Sequence, residues 1–159
     1  MSRAQSELSI EVEAPGELVF AIARDVERWP RLLPHYVSVV ALRHEPRGAT
    51  VARFVARRPL VPVLGLELPV AWRSRAWAEP DHLRLRFEHL GGATAGMSVT
   101  WRIEPTKTGC RVVIEHRFDA PFAGLVERFF VRPIAGRTLA AFKAIAEALA
   151  TTQTGGGQR

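Results

Sequence analysis

Between Tyr36 and Phe118 the apolar residues recur at every second position, in runs cut apart by glycine and proline. After Pro121 they recur at every third or fourth position. A period of two sends alternate side chains to opposite faces of a strand, whereas a period near 3.6 gathers them into a stripe on a helix. The strand-like runs are Tyr36–His44, Thr50–Arg58, Val70–Ala78, His82–Leu90, Ala95–Ile103 and Cys110–Phe118. Most are joined by short turn sequences such as Pro46-Arg47-Gly48, Glu79-Pro80-Asp81, Gly91-Gly92 and Lys107-Thr108-Gly109. Connections this short make neighbouring strands antiparallel. The helical stripe runs through Phe122, Leu125, Val126, Phe129, Leu139, Phe142, Ile145 and Leu149. One amphipathic helix cannot cover a flat sheet of this size. The sheet must curl around it, and the space between them is a natural cavity.

The N-terminal segment adds one strand, with Leu8, Ile10 and Val12 on one face, and then two short helices. Pro15 suits the first turn of the first helix, whose stripe is Leu18, Val19, Ile22 and Ala23. The second helix is expected over Glu27–Leu33, ended by Pro34. The expected class is therefore α+β: a helix-grip fold, with a curved antiparallel sheet of about six to seven strands wrapped around a long C-terminal helix. Residues 1–150 form one ligand-binding domain, and 151–159, with its three successive glycines, reads as a disordered polar tail. Three prolines interrupt Pro59–Pro69, which reads as a long apolar connection between strands. Pro133 lies inside the last helix and is expected to kink it or break it in two.

Composition narrows the chemistry. A single cysteine, Cys110, excludes an internal disulfide and a cysteine-rich zinc site. The chain has no HExxH, no glycine-rich phosphate loop and no GxSxG elbow, so neither a metal nor another cofactor is expected. Absence of a signal-peptide pattern and of any apolar run near about 18 residues points to a cytoplasmic protein. The net charge of +6 favours anionic partners.

The segment SIEVEAPGELVFAIARDVERWPRLLPHYVSVVALR, Ser9 to Arg43, and VIEHRFDAP, Val113 to Pro121, resemble the START-like (Bet v 1-like, SRPBCC) polyketide cyclase/dehydrase superfamily. The similarity is greatest to the tetracenomycin-type aromatase/cyclases. It implies a helix-grip fold with a deep pocket opening near the short helices. In those cyclases the pocket holds a poly-β-ketone chain during aldol ring closure and loss of water. It implies further that Trp29 and Tyr36 stand at the pocket mouth, and that Trp72, Ser74 and Met97 match pocket-lining positions. Where those cyclases carry a ketone-polarising arginine, this chain has Ala76; Arg75 is one residue off and so points to the opposite face.

Strand parity places Phe87, Met97, Trp101 and His116 on inward faces. The candidate ligand-binding residues are thus Trp29, Tyr36, Trp72, Ser74, Phe87, Met97, Trp101 and His116. Tyr36, Ser74 and His116 are the candidate catalytic groups, since a phenol, a hydroxyl and an imidazole can orient and enolise a ketone. Each also has a structural reading: a boundary tyrosine, a small core serine, a satisfied core histidine. The outward face gathers Arg73, Arg75, Arg84, Arg86, Arg102, Arg111 and Arg117, either a docking face for an acidic carrier protein or other anionic partner, or a solvated charge ladder. The apolar 59–69 segment reads as a pocket lid, a homodimer contact, a membrane-touching loop or a loop folded back on the core.

Three functions follow. The first is binding of a small hydrophobic molecule (polyketide, isoprenoid or quinone, or lipid) in an internal pocket. The second is an aromatase/cyclase or dehydratase acting on a carrier-bound polyketide. The third is a ribosome-associated interaction protein.

Overall fold

The computed structural model describes residues 2–61, 64–92 and 94–155, and leaves aside the side chains of residues 2, 60 and 61. Strand β1 (Ser2–Val12) leads into helix α1 (Gly16–Ala23), a single 3₁₀ turn (Val26–Arg28) and helix α2 (Trp29–Leu32). Six strands follow: β2 (Tyr36–His44), β3 (Thr50–Val61), β4 (Leu66–Glu79), β5 (Arg84–Gly92), β6 (Ser98–Pro105) and β7 (Cys110–Ala120). The chain ends in α3 (Ala123–Val126), a π-helical turn (Glu127–Val131) and α4 (Arg132–Gly155). The seven strands form one sheet in the order β1-β7-β6-β5-β4-β3-β2, and every neighbouring pair is antiparallel. The C-terminal helix packs on the concave side, where Leu139, Phe142 and Ala146 join the buried faces of the strands in one core. This is the helix-grip architecture expected from the change of period.

Two glycines hold the sheet closed at its turns. Gly92 ends β5 at φ +94°, and a Cβ there would lie 2.5 Å from the Ala71 carbonyl oxygen. Gly109 lets the β6–β7 turn approach the Val12 backbone so closely that a Cβ would overlap it.

The structure corrects three expectations. The Pro59–Pro69 segment is not a long connection. β3 and β4 run on through it, with Arg57 opposite Pro69 and Pro59 opposite Glu67. β2 stops pairing at Ala56 and β5 at Trp72, so beyond those points β3 and β4 form a two-stranded ribbon projecting from the sheet. Proline is tolerated there because a ribbon strand has one side with no partner to bond. Pro133 does not break the helix. The turn before it widens, and the Arg132 N–H reaches the Glu127 carbonyl five residues back. This π turn absorbs the hydrogen bond that Pro133 cannot donate. Residues Thr151–Gly155, expected as tail, continue α4. The hydroxyls of Thr151 and Thr152 donate back to the carbonyls of Glu147 and Leu149. Residues 156–159 lie outside the described residues.

The outward arginines are largely paired across strands. Arg75 bridges Glu45 (2.8 Å) and Glu88 (3.2 Å), and Arg102 bridges Glu115 (2.9 Å), Glu104 (3.3 Å) and Glu7 (3.4 Å). The geometry is that of a charge ladder on a solvated sheet face, whose exposed pairs each contribute little to stability.

Candidate functional site

A cavity of about 70 Å³ lies between the concave sheet and the first half of the C-terminal helix. By the roughly 10–15 Å³ that one water needs, this admits a ring-sized group but not a long chain at full length. The floor is aromatic. Trp29, carried in by α2, is buried and meets Tyr36, Phe54, Phe87, Trp101 and Phe142 at ring distances of 5.2 to 6.0 Å. Its indole N–H donates to the Ala23 carbonyl at 2.9 Å, which removes the cost of burying a polar group so deeply. Trp29 is thus part of the cavity floor, not of its mouth. The half-buried lining residues are His89 and Phe130, so the cavity opens between the end of β5 and the π turn. That turn presents Phe130 and Val131, and the next turns present Ile134, Ala135 and Thr138.

Two polar clusters interrupt the apolar wall. In the first, Thr138 on α4 donates its hydroxyl to the Ile134 carbonyl (2.8 Å). His35 Nε2 lies 2.8 Å from the Thr138 hydroxyl oxygen, and since the Thr138 proton is committed, Nε2–H is the donor. Burial lowers the His35 imidazole to about 4, and the Arg137 charge adds to the effect. Burial raises the neighbouring Tyr36 phenol far above its ordinary range, partly offset by hydrogen bonding to Thr138. Tyr36 therefore stays protonated and serves as a neutral hydroxyl on the cavity wall.

The second cluster is His89, Thr94 and His116. The His89 ring stacks on Trp72 at 5.8 Å and 12°. Its Nδ1 lies 2.6 Å from the Thr94 hydroxyl. Burial lowers His89 to about 3, helped by the proximity of His116. Burial lowers His116 to about 4, with Glu127 acting against the shift and Arg132 adding to it. Both rings are neutral at pH 7, so each offers one N–H and one lone pair. His116 Nδ1 is fully buried and has no hydrogen-bond partner among the described residues. An unpaired buried nitrogen costs about 1–3 kcal/mol, which a ligand oxygen or hydroxyl in the cavity would recover.

Of the eight residues singled out from the sequence, Trp29, Tyr36, Trp72, Phe87, Met97, Trp101 and His116 line the cavity, and Ser74 does not. Ser74 is buried, and its hydroxyl donates to the Glu88 carbonyl at 3.1 Å. Of the three candidate catalytic groups, Tyr36 and His116 thus line the cavity without Ser74; Thr138 accompanies Tyr36, and His89 accompanies His116. His89 shares the parity of Leu85 and Phe87, and Thr138 lies one helical turn from both Ile134 and Phe142. Those spacings were the available signals for both residues. No charged side chain lines the cavity among the described residues, and no group of three or more His, Cys, Asp or Glu could hold a metal there. Ala76 is buried, and Arg75 points outward as parity requires.

Residues 3–153 match the model of a family described as polyketide cyclase / dehydrase and lipid transport. The chain belongs to this family. It is 31% identical over 151 residues to the granaticin polyketide synthase bifunctional cyclase/dehydratase of Streptomyces violaceoruber. That match takes in 90% of this chain but only 44% of the relative. Among solved structures, the Zhui aromatase/cyclase from Streptomyces sp. R1128 superposes with a TM-score of 0.76 at 21% identity, over 92% of this chain and 94% of that one. A START superfamily protein from Mycobacterium smegmatis gives 0.61 at 14% identity, over 95% and 98%. At these identities both structures establish the fold alone. No helix among the described residues is long and apolar enough to cross a membrane.

Proposed function

We propose that the chain binds a small hydrophobic molecule ring first, with a carbonyl or hydroxyl oxygen facing His89 and His116. The observation that supports this is His116 on the wall of a mostly apolar cavity, with a buried Nδ1 that has no hydrogen-bond partner among the described residues. Trp29, Trp72, Phe87, Met97 and Trp101 supply the apolar contacts, and Tyr36 a hydroxyl. The family description, which joins cyclase and lipid-transport proteins, supports a hydrophobic ligand. Only a ring-sized part fits the cavity, so a longer polyketide, isoprenoid or lipid would extend out between His89 and Phe130. Native mass spectrometry of the purified protein, followed by solvent extraction, tests this. Recovery of an apolar molecule near one per chain, lost in His116→Leu, is the expected result; a molecule held equally by both proteins would count against the histidine site.

A second reading, a cyclase or dehydratase, is favoured by one observation: two imidazoles, His89 and His116, line the same cavity. A neutral imidazole can take a proton from the carbon next to a carbonyl. The C–H electron pair then moves into the carbonyl to give an enolate, which accepts a hydrogen bond from the other imidazole. The activity named for the granaticin relative supports this reading. In it an acidic carrier protein would deliver the chain, although the paired arginines leave the sheet face little free charge to receive one. Exchange of the acetophenone methyl hydrogens in D₂O, followed by NMR, tests enolisation. Exchange at the buffer rate would sink it.

A further inference from the structure

We infer that the mouth of the cavity docks on an anionic lipid bilayer. This goes beyond the binding of a ligand, because it names the surface at which the cavity opens. Beside the opening between His89 and Phe130 lie the β3–β4 ribbon and the start of the C-terminal helix. They are held together by Arg58, whose guanidinium lies 5.6 Å from the Phe129 ring and 5.4 Å from the Phe130 ring. Arg137, 3.5 Å from Glu67, adds a second tie.

On the ribbon, Leu66 and Leu68 share the parity of Val70 and Trp72, so they continue the concave face beyond the cavity. Opposite them, Phe122, Leu125 and Phe129 recur at helical spacing. All five are exposed, from 37% at Leu68 to 73% at Phe122. Exposed apolar side chains of this size, on the two elements that Arg58 ties together, mark a contact surface.

The charge around them indicates which surface. Arg57, Arg58, Arg128, Arg132 and Arg137 surround the patch, against Glu67 and Glu127, a net charge of +3 from five cations and two anions. Projecting phenylalanine and leucine ringed by arginine is the pattern that buries apolar groups at an interface while guanidinium groups hold anionic headgroups. On the outward sheet face, Arg75, Arg86, Arg102, Arg111 and Arg117 are each paired with a glutamate. An apolar ligand could then pass between the bilayer and the cavity without crossing water.

The test is co-sedimentation of the full chain with vesicles of phosphatidylcholine alone, or with about 30 mol % phosphatidylglycerol. Binding is expected to be at least about tenfold stronger with phosphatidylglycerol and to weaken in about 0.5 M salt. Leu125→Ser/Phe129→Ser and Arg57→Gln/Arg128→Gln should each lower it about tenfold. None of these residues lines the cavity, so unchanged acetophenone binding shows that both variants still fold. Equal binding to both vesicles, or binding unaffected by both pairs of substitutions, overturns the inference. So does failure to bind vesicles by a protein that binds an acidic carrier protein through the same residues. Failure here leaves the ligand reading standing, because acetophenone binding reports that separately.

Discussion

Neutral histidines buried in the cavity wall make the fold sensitive to acid in a calculable way. His89 is held down to about 3 and His116 to about 4, from an ordinary 6.5. Below pH 6.5 the unfolded chain takes up protons that the folded chain does not. Stability therefore falls as pH falls, starting near 6.5 and levelling off near the folded values of 3 to 4. About pH 5 lies some 1.5 units below the unfolded value of each histidine, a loss of about 2 kcal/mol each at roughly 1.4 kcal/mol per unit. The pair together costs about 4 kcal/mol, a large part of the roughly 5–15 kcal/mol that holds such a domain folded. The perturbation is the double variant His89→Gln/His116→Gln, compared with the natural chain by urea denaturation at about pH 7.5 and pH 5. His35, also depressed, remains in both proteins and cancels. The natural chain should lose about 4 kcal/mol more than the variant between the two pH values. Equal losses would refute the placement of two neutral imidazoles in the wall.

Other substitutions separate structural from ligand-facing groups. Gly92→Ala should cost about 2 kcal/mol or more in urea denaturation, since φ +94° and the Ala71 carbonyl both oppose a side chain; a loss under about 0.5 kcal/mol would contradict that geometry. Ser74→Ala should cost about 1 kcal/mol of stability yet leave acetophenone affinity unchanged, because its hydroxyl is bonded to the Glu88 carbonyl. A tenfold loss of affinity would return Ser74 to the site. Thr138→Val should cost about 1–3 kcal/mol by stranding the His35 donor, and an unaltered urea midpoint would show that the network carries no stability.

Much of this was legible in the sequence, and the exceptions have physical causes. The strand-to-helix change of period located the sheet, the helix and the cavity between them, because burial on one side imposes that period on any sequence. Parity then put Trp72, Phe87, Trp101 and His116 inward. It could not show what a short side chain would reach, and Ser74, correctly placed inward, finds only the backbone of the next strand. Pro59–Pro69 read as a long connection because proline usually ends strands; that β2 and β5 stop short, leaving those positions unpaired on one side, is a property of the whole sheet. Pro133 read as a kink or a break for a similar reason, and a π turn is not encoded by any single residue. His89 was hidden by the company of Arg84, Arg86 and Glu88, although Phe87 two residues earlier carried the signal.

The claim that matters most is that the cavity selects an apolar ring bearing an oxygen that faces His116. Three cavity tryptophans, Trp29, Trp72 and Trp101, provide a fluorescence readout. Acetophenone and α-methylstyrene have nearly the same shape and differ in the carbonyl oxygen, which a methylene group replaces. Titrated against the natural chain, acetophenone should bind about tenfold more tightly, the worth of one recovered buried hydrogen bond, and His116→Leu should abolish the difference. Equal affinity for the two compounds, or a preference that survives in His116→Leu, would contradict it.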